Sequence, residues 1–444
     1  MVSAIQSRTG AAIAPRIGAI AAAGTIGTII EWYDFVIYGT AAALVFNSQF
    51  FPNADARLGI LASLGSFAVG FLARPVGAVI FGHFGDRLGR KSMLTVTMVG
   101  MGVSTATIGL LPTYAQIGFW APLLLVLLRV VQGISLGGEW GGASLMVLEH
   151  APPRRRGMFG SLVQLGFPVG LVSASAMFSL VSLLPDTDFK AWGWRVPFAV
   201  SVLLIAVGLF IRARLPETPE FEKIKGRNEI VRTPFFHMLR NNPHEFLIAT
   251  GLKLSEVSWI YMLTIFLVVY ATTQLGIAKS TILNGITLGA LFEIVTIPIC
   301  GHLSDSYGRR LFYFVGVGFT IIFAFPLFWL LSTKVTVVVV LTIAVALTFG
   351  HGLMFAPEST YFPELFGTQV RYSGASFGFQ LSAAIGGGFA PLIATTLAAY
   401  SGSTVGVSIM LIILALVTLT AAMFARETKD DASLDAHTVV ARGA

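Results

Sequence analysis

An all-α membrane protein with twelve spans in two pseudo-symmetric six-helix bundles is the fold that the sequence predicts. Three observations predict it: a composition too poor in charge for a water-soluble surface, apolar runs of spanning length, and motifs that recur at a constant offset. Of 444 residues, 55% are hydrophobic and 11% charged, against about 25% charged in soluble domains. A bilayer core about 30 Å thick needs about 20 apolar residues per spanning helix. The runs here are far longer than the alternating strands of an outer-membrane barrel, which leaves helices.

Hydropathy places the spans at 18–46, 58–82, 92–112, 120–147, 157–184, 194–213, 246–273, 281–303, 311–331, 335–358, 372–398 and 404–425. Residues 1–17 form a polar N-tail, expected to stay uncleaved so that the first span directs insertion. The first bundle is 18–213, an amphipathic linker covers 214–245, the second bundle is 246–425, and 426–444 form a short C-tail. With the N-terminus inside, 21 Lys and Arg fall on the inner side and 5 on the outer, while Arg74, Arg129 and Lys253 lie within spans. This bias predicts both termini in the cytoplasm. It also accounts for the net charge of +7 without nucleic acid.

The repeats carry the architecture. Gly82-His-Phe-Gly-Asp86-Arg-Leu-Gly89-Arg90-Lys91 after span two returns as Gly301-His-Leu-Ser-Asp305-Ser-Tyr-Gly308-Arg309-Arg310 after span eight, 219 residues on. Glu149 and Arg156 recur as Glu364 and Arg371 at an offset of 215. Pro216-Glu217-Thr218 recurs as Arg426-Glu427-Thr428 at 210. Parallel repeats of this kind place a solute site between the halves near mid-membrane.

Several function classes find no support. The two Gly-x-Ser-x-Gly strings, Gly133-Ile-Ser-Leu-Gly137 and Gly374-Ala-Ser-Phe-Gly378, lie inside apolar spanning runs and form no strand-to-helix elbow, and there is no His-Glu-x-x-His and no phosphate-binding Gly-Lys-[Ser/Thr] loop, so an enzyme is not expected. The single cysteine, Cys300, lies in an apolar run and reads as a small buried hydrophobe, and no metal-ligand cluster is visible. No metal or cofactor is expected. The partners are a small solute, a proton and the lipid bilayer, with no obligate protein partner. A proton-driven drug exporter and a channel are the competing readings, separable by transport direction and by saturation.

The Asp86 loop, its copy, and Arg129-Val-Val-Gln132-Gly133 resemble signatures of the major facilitator superfamily. Glu31-Trp-Tyr-Asp34-Phe-Val-Ile-Tyr38-Gly39, Arg74-Pro75-Val-Gly77 and Gly137-Gly-Glu139-Trp140-Gly-Gly narrow the resemblance to the metabolite:proton symporter family, over residues 18–430. That resemblance implies the major facilitator fold, a place in the bacterial cytoplasmic membrane, and uptake of a metabolite such as citrate, 2-oxoglutarate, shikimate, proline or betaine, driven by the proton gradient. The tail after Glu427 lacks the long coiled coil of the osmosensing members. A carboxylate is the expected solute, with a zwitterion as the alternative.

Charges inside spans cost several kcal/mol each and point to function. Glu31, Asp34 and Tyr38 share a face of span one, as Arg129 and Gln132 do of span four. Proton-coupled sugar carriers of the superfamily pair a first-span Asp with a fourth-span Arg, so Asp34 and Arg129 are expected to couple proton to conformation; the alternative is a permanent structural pair. Burial favours the protonated acid and a neighbouring guanidinium the carboxylate, so a contact that opens and closes moves a proton. Glu31 reads as a second proton site, a solute contact or a brace. Arg74, Tyr38, Gln132, Lys253 and Glu256 are the expected solute residues, although Lys253 and Glu256, three apart, could simply pair. Glu139 reads as packing or gating. Glu293 and Glu358 rank last, and His351 reads as packing before titration. The resemblance implies a cytoplasmic gate of Asp86, Arg90, Glu149 and Arg156 in one half and Asp305, Arg309, Glu364 and Arg371 in the other.

Overall fold

A computed structural model describes residues 17–52, 56–227 and 231–429. The expectations for the N-tail and for the end of the C-tail lie outside these residues. Twelve helices of spanning length and composition follow one another: α1 (Ile17–Phe50), α2 (Ala56–Leu88), α3 (Arg90–Leu110), α4 (Trp120–His150), α5 (Pro153–Val181), α6 (Gly193–Ala213), α7 (Pro243–Thr273), α8 (Lys279–Tyr307), α9 (Arg309–Ser332), α10 (Thr336–Leu365), α11 (Arg371–Ser401) and α12 (Val405–Phe424). No strand occurs among the described residues. Large apolar side chains such as Val103, Leu203, Ile322 and Trp329 are more than half exposed. An outer face of that kind suits lipid and not water.

Several helices outrun their hydropathy estimates. α2 reaches Leu88, α8 reaches Tyr307 and α10 reaches Leu365, so Asp86, Asp305 and Glu364 lie on helices rather than in loops. A helix continues past the hydrocarbon, where hydropathy turns polar but the backbone ladder does not stop. What stops α2 and α8 is one glycine each. Gly89 (φ +113°) and Gly308 (φ +96°) are the only residues between one span and the next, in a region that L side chains avoid. Arg212, one of the 21 charges assigned to the inner side, is the buried penultimate residue of α6.

Small residues set the closest packing. Gly133 and Gly137 of α4 lie against the backbone of Gly70 and Arg74 in α2, where a Cβ would collide. This seam holds Arg74 and Arg129 on facing helices. Across the halves, α2 packs on α11 and α5 on α8. Widened π-type turns interrupt α1 at Ala42–Phe46 and α7 at Met262–Phe266, matching positions of the two repeats, and α10 at Thr348–Gly352. Such turns often mark functional positions. The connection between halves contains helices Pro219–Gly226 and Pro234–Asn241, which bury Phe221, Ile224, Phe235 and Met238.

Candidate functional site

In the first half, α1 presents Glu31, Asp34 and Tyr38 to the interior, all buried. Asp34 and Arg129 do not form the direct ion pair expected from the sequence. Asp34 Oδ2 accepts a hydrogen bond from Thr105 Oγ1 (2.8 Å) on α3 and Oδ1 accepts one from the Ser201 hydroxyl on α6. Thr105 Oγ1 in turn accepts from Gln132 Nε2 (2.7 Å), whose Oε1 accepts from Arg129 Nη1 (2.6 Å). Helical spacing on α1 and α4 shows which faces meet; it does not show that α3 inserts a hydroxyl between them and that α6 brings a second one onto Asp34. The Arg129 guanidinium also sits 4.1 Å from the Tyr38 ring, and the Tyr38 hydroxyl shares a hydrogen bond with Ser66 (2.7 Å). Tyr38 and Gln132, expected as solute ligands, are therefore engaged within the protein.

Arg74 presents a different picture. It is 3% exposed, its Nε has no hydrogen-bond partner among the described residues, and no carboxylate lies within ion-pair distance. The Phe35 and Phe71 rings flank its guanidinium at 4.9 Å each, and Arg129 lies 5.4 Å from the same Phe35 ring. Glu31 is the neighbouring acid. It too is buried, with Oε2 unpartnered, and Arg74 is the cation that acts most strongly on it. Tyr261 of α7, edge-on to Phe71 (5.1 Å), brings the second half against these side chains. Glu139 is a separate, saturated site. It takes Arg212 as counter-ion, and its Oε2 also accepts from Thr97 Oγ1 (2.8 Å). That arrangement fits the packing reading.

The second half assembles residues that ranked last in the sequence. Lys253 Nζ lies 2.5 Å from Glu256 Oε2 and 2.9 Å from Glu358 Oε2. His351 bridges Glu256 (Nε2 to Oε1, 2.8 Å) and Glu293 (Nδ1 to Oε1, 2.7 Å). All five are buried. Two carboxylates hold the Lys253 charge, which leaves Lys253 and Glu256 poorly disposed to bind solute. The signal for Glu293 was the repeat itself. At the offset of 219, Glu293 stands where Arg74 stands and Lys253 where Asp34 stands, with the signs of charge exchanged.

The gate residues pair both across the halves and within them. The Asp86 carboxylate accepts from Tyr372 N (3.3 Å), Ser373 N (3.0 Å) and Ser373 Oγ (2.8 Å) at the N-terminus of α11. Glu149 bridges Arg90 and Arg371, each at 3.3 Å. On the other side of the pseudo-twofold, Asp305 accepts from Gly157 N (2.7 Å) and Met158 N (3.0 Å) at the start of the α5 helix. Arg309 bridges Asp305 (3.0 Å) and Glu364 (3.4 Å). A carboxylate on free helix-terminal amides is favourable in both hydrogen bonding and dipole. Arg156 makes no ion pair among the described residues; its carbonyl accepts from Thr360 Oγ1 (3.0 Å). Two further acids escaped notice as site residues. Glu217 caps α3 through Arg90 N (3.0 Å) and Lys91 N (3.1 Å), and Glu427 caps α9 through Arg309 N (2.9 Å) and Arg310 N (3.1 Å). Their recurrence at an offset of 210 was the visible sign.

With this geometry in view, comparison with known proteins adds the following. The Major Facilitator Superfamily profile matches residues 24–386. The Shikimate transporter of Escherichia coli K12 is 40% identical over 408 residues, covering 91% of this chain and 93% of that one. The inner membrane metabolite transport protein YhjE of the same organism is 41% identical over 413 residues, covering 92% and 93%. Its Proline/betaine transporter is 34% identical over 422 residues, covering 91% and 83%. Among solved structures, the proton:xylose symporter XylE bound to 6-bromo-6-deoxy-D-glucose superposes with a TM-score of 0.73 at 16% identity, over 93% of this chain and 96% of that one.

Proposed function

The chain belongs to the major facilitator superfamily, within its metabolite:proton symporter family, and from that premise we propose that it takes up a small organic carboxylate together with a proton. It is a multi-pass membrane transporter and not an enzyme. The observation that carries the reading is Arg74, a buried guanidinium without an acid partner, flanked by two aromatic rings and set beside the unpartnered Glu31. A guanidinium is suited to gripping a carboxylate through two parallel hydrogen bonds. An ionised Glu31 competes with the solute for Arg74, and a protonated Glu31 does not. Proton binding therefore favours solute binding, which is the thermodynamic requirement of symport.

In this scheme Glu31 carries the proton. Asp34 acts through Thr105 and Gln132 to orient Arg129 toward the same pocket. The two halves then rock about the site, and the charged contacts of Asp86, Glu149, Asp305 and Glu364 hold the face that bears both termini shut. The excess of Lys and Arg on that face supports a cytoplasmic placement, and the bacterial relatives support the inner membrane. The relatives include a shikimate transporter, and a hydroxylated cyclic monocarboxylate of that kind would offer Arg74 its carboxylate and the aromatic walls its ring. A zwitterion is the second reading, because Glu31 could hold a cationic end and a proline/betaine transporter is also a relative.

Uptake into proteoliposomes tests the proposal, with labelled mono-, di- and tricarboxylates, shikimate and betaine, with and without an inward proton gradient. Gradient-stimulated accumulation of a carboxylate is expected. Accumulation of betaine alone, or uptake indifferent to the gradient, refutes it.

A further inference from the structure

We propose that the cluster of Lys253, Glu256, Glu293, His351 and Glu358 in the second half binds a second transported proton, in addition to the one at Glu31. The inference rests on the symport reading above, and it concerns residues that reading does not use.

The hydrogen count requires an additional proton there. Both ring nitrogens of His351 face carboxylate oxygens, at 2.8 and 2.7 Å. A neutral imidazole has one N–H, so the second contact needs either an imidazolium or a carboxylic acid O–H. Charge leads to the same place. Three carboxyl groups face one ammonium and one imidazole, so with every acid ionised the cluster stays net negative even when His351 is cationic. An uncompensated charge at this depth is costly. Every neutral state keeps at least one proton on a carboxyl group. Glu293 Oε2 and Glu358 Oε1, both buried and without hydrogen-bond partners, are free to hold it.

The cluster also lies where the halves meet. Gln164 of α5 donates from Nε2 to Phe355 O (2.9 Å) and to Glu358 Oε2 (3.4 Å), and its Oε1 accepts from the Trp140 indole (2.9 Å). The Phe167 ring, also of α5, covers His351 at 4.9 Å. The remaining titratable or charged groups around the cluster are Tyr313 of α9, whose hydroxyl has no partner among the described residues, Tyr261 of α7, and Glu31 beyond Lys253, while Tyr361 of α10 packs on the far side of Tyr313 at 5.7 Å. When the halves part on the gate face, α5 withdraws from α10. Gln164 and Phe167 then leave Glu358 and His351 open to water, and the cost of a net charge there falls. The proton leaves on the side to which the gate opens, and once the gate has closed the cluster takes up a new proton from the opposite side. On release the O–H bond of the acid breaks, water takes the proton, and the carboxylate stays behind.

The coupling ratio tests this. Proteoliposomes clamped at zero voltage with potassium and valinomycin accumulate solute about tenfold per pH unit of gradient for each proton carried, since each tenfold step is about 1.4 kcal/mol. Wild type is expected to show about two such steps per unit, and Glu31→Gln and Glu293→Gln about one each. A single step in wild type overturns the second site and leaves the symport reading intact, as does loss of all gradient dependence in Glu31→Gln. Two steps retained in both Glu293→Gln and His351→Gln also overturn it. No gradient dependence in wild type refutes symport itself. The wild-type and Glu31→Gln results decide the matter even if the cluster variants fail to fold.

Discussion

Replacing Asp86 by Asn should open the gate face, by an amount that follows from its bonds. The carboxylate receives three hydrogen bonds from the other half, two of them from amides in the first turn of α11. Hydrogen bonds to a charged group contribute about 1.5–3 kcal/mol and neutral ones about 0.5–1.5. The helix dipole adds about 0.3–1 kcal/mol to a carboxylate in this position. Asn keeps one acceptor oxygen, loses the charge, and turns an amide N–H₂ toward backbone N–H donors. The closed state should lose about 2–4 kcal/mol relative to the open state, where position 86 is hydrated in both proteins. At about 1.4 kcal/mol per tenfold, the open-to-closed ratio should rise about 30- to 1000-fold. Spin labels at exposed Arg154 and Tyr307, one in each half, report the separation by double electron–electron resonance. A Cys300→Ser background removes the only native thiol. The Asp86→Asn distance distribution should shift to longer values. An unchanged distribution, with the protein folded and transporting, would show that the Asp86 contacts do not hold the gate.

Further outcomes follow from the same contacts. Arg74→Lys should raise the KM for a carboxylate solute about tenfold or more and Arg74→Gln further, because neither keeps the planar fork; equal KM values in flux assays would remove Arg74 from the binding site. Glu139→Gln strands the buried Arg212 charge and should cost about 3–5 kcal/mol, read as a lower melting temperature in detergent, whereas joint replacement of Glu139 and Arg212 by Met and Leu should recover most of it. Asp305→Asn should open the gate as Asp86→Asn does, since it removes two amide contacts related by the pseudo-twofold; opening by only one of the two variants would argue against a symmetric gate. Glu217→Ala and Glu427→Ala should each destabilise by about 1 kcal/mol through loss of a helix cap, measured as matched falls in thermal midpoint.

Much of the architecture was legible because membranes make sequence simple. Hydrocarbon forces each span into a run of apolar residues, and duplication leaves Asp86 and Asp305 or Glu149 and Glu364 at fixed offsets. Less of the site was legible. Asp34 and Arg129 were selected correctly as interior residues, but Thr105 and Gln132 stand between them, and Ser201 occupies the other oxygen of Asp34. In the sequence Lys253 reads as a solute ligand or as the partner of Glu256 three residues on; the structure has that pair and adds Glu358, which the spacing does not reveal. Glu293 and Glu358 rank last there and His351 reads as packing, and the structure draws them as a group from α8 and α10 onto α7.

By itself, then, the sequence determined the twelve helices, their division into two related halves and the short list of interior charges. Composition and periodicity are properties of single helices, and each helix reports them independently of its neighbours. Only the tertiary structure decided which charges neutralise one another and which stay open. It joined Arg212 to Glu139, Lys253 to Glu256 and Glu358, and Asp86 to the first turn of α11, and it left Arg74 between two rings. Pairing depends on how helices distant in sequence are rotated and staggered. That arrangement is fixed by close packing of side chains such as those along the α2–α4 seam, and no local pattern in the chain encodes it.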